Sequence, residues 1–352
     1  MKDYTKILRR HMDDLKLIEK TLDAPSYYPE KERKSREERK KDLLAWKKER
    51  GEANEHYNVW GLDIKGSDPS LFLDYSKAFR RERDRLNRRG RRGSVVGIME
   101  DKFMFYKTMK GFGLPVPEVF AYINNGVFFD AALNPISIDD LRDKKDYFLK
   151  DAYGMKGKEV VHINDHEQLK ALGNKLSSGD YILQERIKAS AEASVLYGGS
   201  INTIRIITVR QTGEEPRLFA RFQRMGSAAT GNVDNWSSGG VAAGIKDNGY
   251  LKDIGYFRFD TPGGCTERHP DSGIKFASYH IPGYDKAIEL ALEAHRHFHN
   301  LFSCGWDVAI TEGGPVLVEG NDCWGSGSPQ VCDRPLKKEW DELVKEYDRR
   351  TK

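Results

Sequence analysis

Hydrophobic residues are spaced in two different ways along this chain of 352 residues. Up to about residue 93 they are islands in charge runs such as KERKSREERKKDLLAWKKER (31–50) and FRRERDRLNRRGRR (79–92). Leu43, Leu44 and Trp46, then Phe79 and Leu86, interrupt mixed acidic and basic residues there. That spacing predicts long polar helices supported by i,i+4 charge pairs, with thin apolar stripes packing on a body. From about residue 95 the pattern turns to short β-type runs between Gly-rich loops, with a few helices. A helix is predicted over about 101–110, stopped by glycine, with a strand after the two prolines of GLPVPEVF. DYFLKDAYGMKGKEVVHI reads as strand, Gly-rich loop, strand, and DYILQERI as a short strand ending in polar residues. SINTIRIITVR and PRLFARFQRMG flank a turn at QTGEE, and DNWSSGGVAAGI is a loop of small residues entering a strand. YDKAIELALEAHRHFHNLF is an amphipathic helix. Strands, hairpins and helices mixed in this way predict an α+β fold.

The last hairpin, GWDVAITEGGPVLVEGND (305–322), carries an apparent electrostatic fault. With Glu312-Gly313-Gly314 as a three-residue loop, Thr311 faces Pro315, Ala309 faces Leu317 and Asp307 faces Glu319. Opposed like charges destabilise a sheet, so something positive is expected between them. Asn321 shares the face of Glu319. Carboxylates plus an amide suit a hard cation, and Mg²⁺ completes such a shell with water and phosphate oxygens.

Charge divides the chain as the pattern does. Residues 1–93 carry 26 Lys/Arg against 18 Asp/Glu, and the remainder 32 against 36. The basic runs read first as solvated helical faces. The alternative is a docking surface for an anionic partner, although the interspersed acidic residues argue against nucleic acid. No apolar run approaches the roughly 20 residues of a membrane span. The N-terminus lacks an apolar signal core, and the four cysteines include no CxxC pair. A cytoplasmic protein with reduced thiols is expected.

A magnesium site of this kind needs phosphates. Lys150 ends an apolar strand, and the loop after it brings Gly154, Lys156 and Gly157, able to offer backbone N–H groups and positive charge. This is not a GxxxxGK[ST] loop. Gln184, Glu185, Arg186 and Ile187 close a strand with groups suited to an adenine edge, and Glu192 follows at ribose distance in sequence. Arg205 lies in an otherwise β-branched run and needs an anionic partner, whether phosphate, ligand carboxylate or a structural salt bridge. Arg221 and Arg224 add cations nearby. Asn235 and Ser237-Ser238-Gly239-Gly240 form a loop whose N–H groups suit a developing oxyanion. His295, His297 and His299 invite a metal reading, but only His295 and His299 would share a helical face. A surface cluster is expected.

The order of these features resembles the ATP-grasp superfamily. SSGGVAAGI, HPDSGIKFASYHIP and GWDVAITEGGPVLVEGNDCWG look like its sugar-transfer-associated branch, over roughly residues 95–330. The resemblance implies two α+β lobes with ATP between antiparallel sheets: a basic helical region at 1–95, a small lobe at 96–187 and a C-terminal lobe at 188–352. Lys102 and Lys150 would contact ATP phosphates, with Gly154–Gly157 folded over them and Gln184–Ile187 along the adenine. Glu192 would contact the ribose. Arg205 would stabilise the transferred phosphoryl group or the acceptor carboxylate, Asn235, Gly239 and Gly240 would hold an acyl phosphate, and Asp307, Glu319 and Asn321 would hold one or two Mg²⁺ ions. The implied activity is an ADP-forming ligase joining a small-molecule or peptide carboxylate to an amine. A phosphotransferase on the same fold and a non-catalytic anion-binding scaffold are the alternatives. The insertion at 263–276 matches the branch without a role that its residues reveal.

Overall fold

The computed structural model describes residues 4–74, 77–154, 160–231, 234, 236–258 and 264–351. The charged N-terminal stretch forms α1 (Tyr4–Asp23), α2 (Arg36–Arg50) and α3 (Lys77–Leu86). Ser35 and Glu38 close a reciprocal capping box on α2, and Gly51 ends it in the left-handed conformation. Leu43, Trp46, Phe79 and Leu86 are buried as the spacing predicts, whereas Leu44 is exposed. The irregular segment between α2 and α3 also buries Tyr57, Val59, Trp60, Leu62 and Phe72. The N-terminal region therefore has an aromatic core of its own, joined to the body.

α4 (Val96–Glu100) and α5 (Lys102–Gly111) follow, with Asp101 capping α5 through the N–H groups of Phe103 and Met104 at 2.9 and 3.0 Å. A six-stranded sheet comes next: β1 (Val119–Asn124), β2 (Val127–Phe129), β3 (Pro135–Ile136), β4 (Tyr147–Asp151), β5 (Val161–Ile163) and β6 (Asp180–Glu185). Its spatial order is β3-β2-β1-β6-β4-β5, with antiparallel neighbours throughout. α6 (His166–Ala171) and α7 (Gly173–Leu176) lie between β5 and β6, and α8 (Ala191–Ser194) follows β6.

A seven-stranded antiparallel sheet contains β7 (Ile204–Val209), β8 (Arg217–Met225), β9 (Val241–Ile245), β10 (Leu251–Tyr256), β11 (Cys265–Thr266), β12 (Ser303–Thr311) and β13 (Gly314–Asn321). Its order is β11-β10-β9-β8-β7-β12-β13. α9 (Tyr284–Arg296) precedes β12, and α10 (Gly327–Cys332) and α11 (Lys337–Arg350) follow the hairpin.

The two faces of this sheet have different covers. Ile204, Ile206, Trp306 and Val308 pack with Leu290, Ala291 and Ala294 of α9. On the other face Phe222 and Ala242 join the aromatic core of the N-terminal region, and Ile207 and Phe219 join Phe79, Leu86 and Trp340 of α3 and α11. The helical N-terminal region thus covers the face that also carries Arg205, paired in register with Phe222, and Arg224, paired with Ala242.

The histidine expectation is corrected here. α9 ends at Arg296, so His297 and His299 lie beyond it. His295 is fully buried, held by Thr208 Oγ1 at 2.7 Å and the Leu301 carbonyl at 2.8 Å. His297 stacks on Phe112, with ring centroids 3.9 Å apart. A helical period counted past the true helix end put these side chains on a surface they do not share.

Candidate active site

The hairpin brings Asp307 opposite Glu319, but by a different route from the one its alternation predicts. Thr311 pairs with Gly314, Ile310 with Pro315, Ala309 with Val316 and Val308 with Leu317. The turn is therefore one residue tighter, with Gly314 at φ +107° supplying the conformation that other residues avoid. A bulge then leaves Val318 unpaired and restores Asp307 to Glu319 and Gly305 to Asn321. Bulges re-aim side chains, and Val318 lines the cleft between the two sheets.

The positive charge expected beside Asp307 comes from neighbouring strands. Arg205 is its register partner on β7 and grips the carboxylate with Nε and Nη2, the latter at 3.0 Å. Arg224 Nη2 from β8 lies 2.9 Å from the same carboxylate. Arg224 also donates to Thr203 Oγ1, whose hydroxyl and backbone N–H both donate to Asp234 at 2.7 and 2.6 Å. Burial raises the Asp307 carboxyl, but the two guanidinium groups outweigh that and hold it below its ordinary value. For Arg224 the same balance moves the pKa the other way: burial opposes its charge, while Asp307, Asp234 and Glu319 outweigh that and raise it.

Glu319 has different company. Its carboxylate makes no hydrogen bond among the described residues, and its field acts on Lys102 and Lys150. Gly320 allows this approach, because a side chain there would strike Met99 and Phe105 and push α4 and α5 off β13. Lys102, first in α5, donates to the Gly154 carbonyl, and its backbone N–H bonds the Ala152 carbonyl at 2.9 Å. Lys150 on β4 donates to Gln184 Oε1 on β6 at 2.7 Å. Burial lowers both lysines, Lys150 to about 8, against the upward pull of Glu319.

Beside Lys150 opens a cleft of about 330 Å³, lined by Phe148, Gln184 to Ala189, Ser194, Gly198 to Ile201, Pro117 and Val318. Gln184, Glu185, Arg186 and Ile187 all face it, as their position at the end of a strand suggests. Glu192 sits exposed on α8 and is not among the lining residues. Gly239 and Gly240 follow a single 3₁₀ turn at Trp236–Ser238, just before β9. Lys156, Gly157 and Asn235 lie outside the described residues.

A model of the family described as sugar-transfer associated ATP-grasp matches residues 81–339. The chain belongs to that family. The ATP-grasp fold accounts for the two antiparallel sheets with the cleft between them, and the matched segment begins within α3. Among solved structures, the D-alanine-D-alanine ligase of Coxiella burnetii is 12% identical, with 72% of this chain and 59% of that one covered and a TM-score of 0.43. D-alanyl-alanine synthetase A of Vibrio cholerae O1 biovar eltor is 13% identical, with 72% and 65% covered and a TM-score of 0.43. The L-amino acid ligase of Bacillus licheniformis is 13% identical, with 71% and 48% covered and a TM-score of 0.40. The chain spans less than two thirds of the length of each. No curated protein matches it.

The ATP-grasp hairpin offers oxygen donors for a hard cation. Glu319 is uncommitted, and the Asn321 side-chain amide has a buried nitrogen without a partner. The orphaned nitrogen is a donor and suits an acceptor such as a phosphate oxygen, while the Asn321 amide oxygen and the Glu319 carboxylate are the hard oxygen donors that suit Mg²⁺. No group of three or more acidic, histidine or cysteine side chains gathers among the described residues, so water and phosphate would supply much of the shell.

This part of the ATP-grasp fold is also held by residues that the sequence patterns do not point to. Asp234 anchors Arg224 and Thr203. Arg89, just after α3, holds Asp322 at 2.6 Å, and the Asn87 side-chain amide bonds the Ser303 carbonyl at 2.9 Å. The charged N-terminal region therefore braces the open end of the hairpin, where β12 begins and β13 ends. Arg89 sits in the charge run 79–92, where nothing in the sequence separates it from its solvated neighbours. No helix is long and apolar enough to cross a membrane among the described residues.

Proposed function

We propose that this ATP-grasp chain is an ADP-forming carboxylate–amine ligase. The γ-phosphoryl group of ATP passes to a carboxylate oxygen, and an amine then attacks the acyl phosphate, releasing phosphate and forming an amide. The observation that carries the reading is the pairing of Glu319, uncommitted and faced by Lys102 and Lys150, with the Arg205–Asp307–Arg224 cluster opposite it. Together they present acceptors for a cation and donors for phosphate at the mouth of one cleft.

The cleft takes the nucleoside, with Gln184 to Ile187 along the base and Val318 against it. Lys102 and Lys150 hold phosphate oxygens. Glu319 and Asn321 would hold one or two Mg²⁺ ions, with Asp307 joining them by exchanging a contact with Arg205 or Arg224, and the ions when bound would neutralise phosphate charge. Arg205 and Arg224 have more donors than Asp307 can accept, so they also suit an incoming carboxylate or the transferred phosphoryl group. Gly239, Gly240 and Asn235 are assigned to the acyl phosphate, and Glu192, outside the lining but on the same helix as the cleft-lining Ser194, to the ribose at the cleft edge. No side-chain nucleophile is required, because positioning and electrostatics lower the barrier. The N-terminal region covers the sheet face carrying the arginines, which makes it one wall of the acceptor site. The acceptor is a sugar acid, amino acid or peptide of surface-polysaccharide or natural-product assembly, a class that rests on the family description.

ADP release is measured with Mg²⁺ against a panel of carboxylates, with and without amines, for the wild type and Glu319→Gln. Amine-dependent release that Glu319→Gln loses at least about a hundredfold is the expected result. Release that needs a hydroxyl acceptor and no amine identifies a phosphotransferase instead. Undiminished release by Glu319→Gln removes the metal assignment.

A further inference from the structure

The insertion described from residue 264 to 276 has no part in this scheme, yet one of its side chains centres a buried network. His269 is 1% exposed. Its Nδ1 accepts from the backbone N–H groups of Asp271 and Ser272 at 3.3 and 3.5 Å. That leaves the proton on Nε2, which donates to the Gly226 carbonyl at 2.8 Å. The imidazole also stacks on Tyr197, with centroids 5.9 Å apart and planes 18° from parallel.

Gly226 is held from its other side as well. Its N–H donates to Ser200 Oγ at 3.2 Å and Asn202 Oδ1 at 3.3 Å. Ser200 lines the cleft, and Gly226 lies two residues beyond Arg224, the partner of Asp307. Asn202, at φ +51°, donates to the Tyr197 carbonyl at 2.7 Å and gives its own carbonyl to Gln223 Nε2 at 2.6 Å. The Asp271 carboxylate accepts from the Ala228 N–H at 3.0 Å, so the insertion grips the chain on both sides of Ser227.

We infer that His269 is a positioning residue: through the Gly226 peptide and the Tyr197 ring it fixes the Gly198–Ser200 wall of the cleft against the Arg224 end of β8. The inference rests on the cleft being the nucleotide site and is independent of which acceptor the enzyme uses. Without the Nε2–H donor, the buried Gly226 carbonyl loses its partner and the peptide can turn toward a new one. The cleft wall and the arginine then lose their common anchor.

The test uses the full chain, a fluorescent ADP analogue and three proteins: wild type, His269→Phe and His269→Gln. Phenylalanine keeps a ring against Tyr197 and removes the donor, whereas glutamine restores an amide N–H near the position of Nε2. His269→Phe binds the analogue about tenfold more weakly, and His269→Gln recovers to within about threefold of the wild type. Wild-type affinity in His269→Phe, or equal weakening in both variants at equal melting temperature, overturns the inference. Hydrogen exchange on the wild type needs no variant to fold. ADP slows exchange at 197–202 and at 224–228 together, and slowing confined to 197–202 overturns the coupling. Failure of the wild type to bind the analogue removes the cleft assignment and the inference with it.

Discussion

The two strands of the last hairpin hold one carboxylate each and treat them in opposite ways. β12 is buried along nearly its whole length between β7 and β13, so Asp307 meets Arg205 from the next strand and Arg224 from the one beyond. β13 is the sheet edge, half-buried, and Glu319 acts on Lys102 and Lys150 with no protein group bonded to it among the described residues. A carboxylate in a central strand must be neutralised by the protein, because desolvating an unpaired charge costs several kcal/mol. One on an edge strand beside a cleft can wait for a ligand. The fault in the hairpin is thus two problems, one solved within the fold and one left for the site.

The largest expected effect tests the buried half. Asp307→Ala strands two guanidinium groups in the interior and lowers stability by about 3–5 kcal/mol in urea unfolding. Glu319→Gln, losing a carboxylate that no group is bonded to among the described residues, stays within about 0.5 kcal/mol of the wild type in the same assay, although it abolishes the proposed activity. Equal destabilisation by the two substitutions would erase the distinction between central and edge carboxylates.

A smaller effect reads Lys150. Its folded pKa of about 8 lies below the ordinary lysine value of about 10.4, so between these the unfolded chain binds more protons. Stability attributable to Lys150 therefore rises as pH climbs from about 8 to about 10.4. ADP binding, which in the proposed site uses the ammonium, is expected to run the other way. Measured without divalent cations, it weakens by up to about tenfold per pH unit above about 8, and Lys150→Met flattens the profile. Because Glu319 raises Lys150, Glu319→Gln moves that midpoint to lower pH. A midpoint that stays in place would show that the two groups do not face each other.

The smallest effect belongs to the bulge. Val318→Ala removes two methyl groups from a half-buried position and weakens ADP binding about threefold, with little change in unfolding. A change in unfolding midpoint without a change in binding would place Val318 in the sheet and not in the cleft.

Much of the cleft and its hairpin is legible in the sequence because it is carried by short-range patterns. The strands that carry Lys150 and Gln184 near their ends and the parity that faces Asp307 with Glu319 follow from counting along one or two strands. The bulge does not, since Val316 and Val318 are equivalent to any rule based on alternation. The loop is one residue shorter than expected and the bulge one residue longer, and the two departures cancel at Asp307. His295 shows the opposite outcome, where a period carried through α9 gives a surface that the buried ring contradicts. The aromatic core from Tyr57 to Phe72 goes unseen because it has neither helical nor strand periodicity.

What the amino-acid sequence determined by itself is the set of elements and the family: an α+β ATP-grasp chain whose hairpin opposes two acidic residues. Only the tertiary structure decided which acid is neutralised within the protein, which one has no bonded partner among the described residues, and which remote residues brace them. Arg224, Asp234, Arg89 and His269 act through contacts between segments far apart in the chain. Spacing along a strand cannot encode such contacts, since they depend on how the strands stack into sheets and what covers each face.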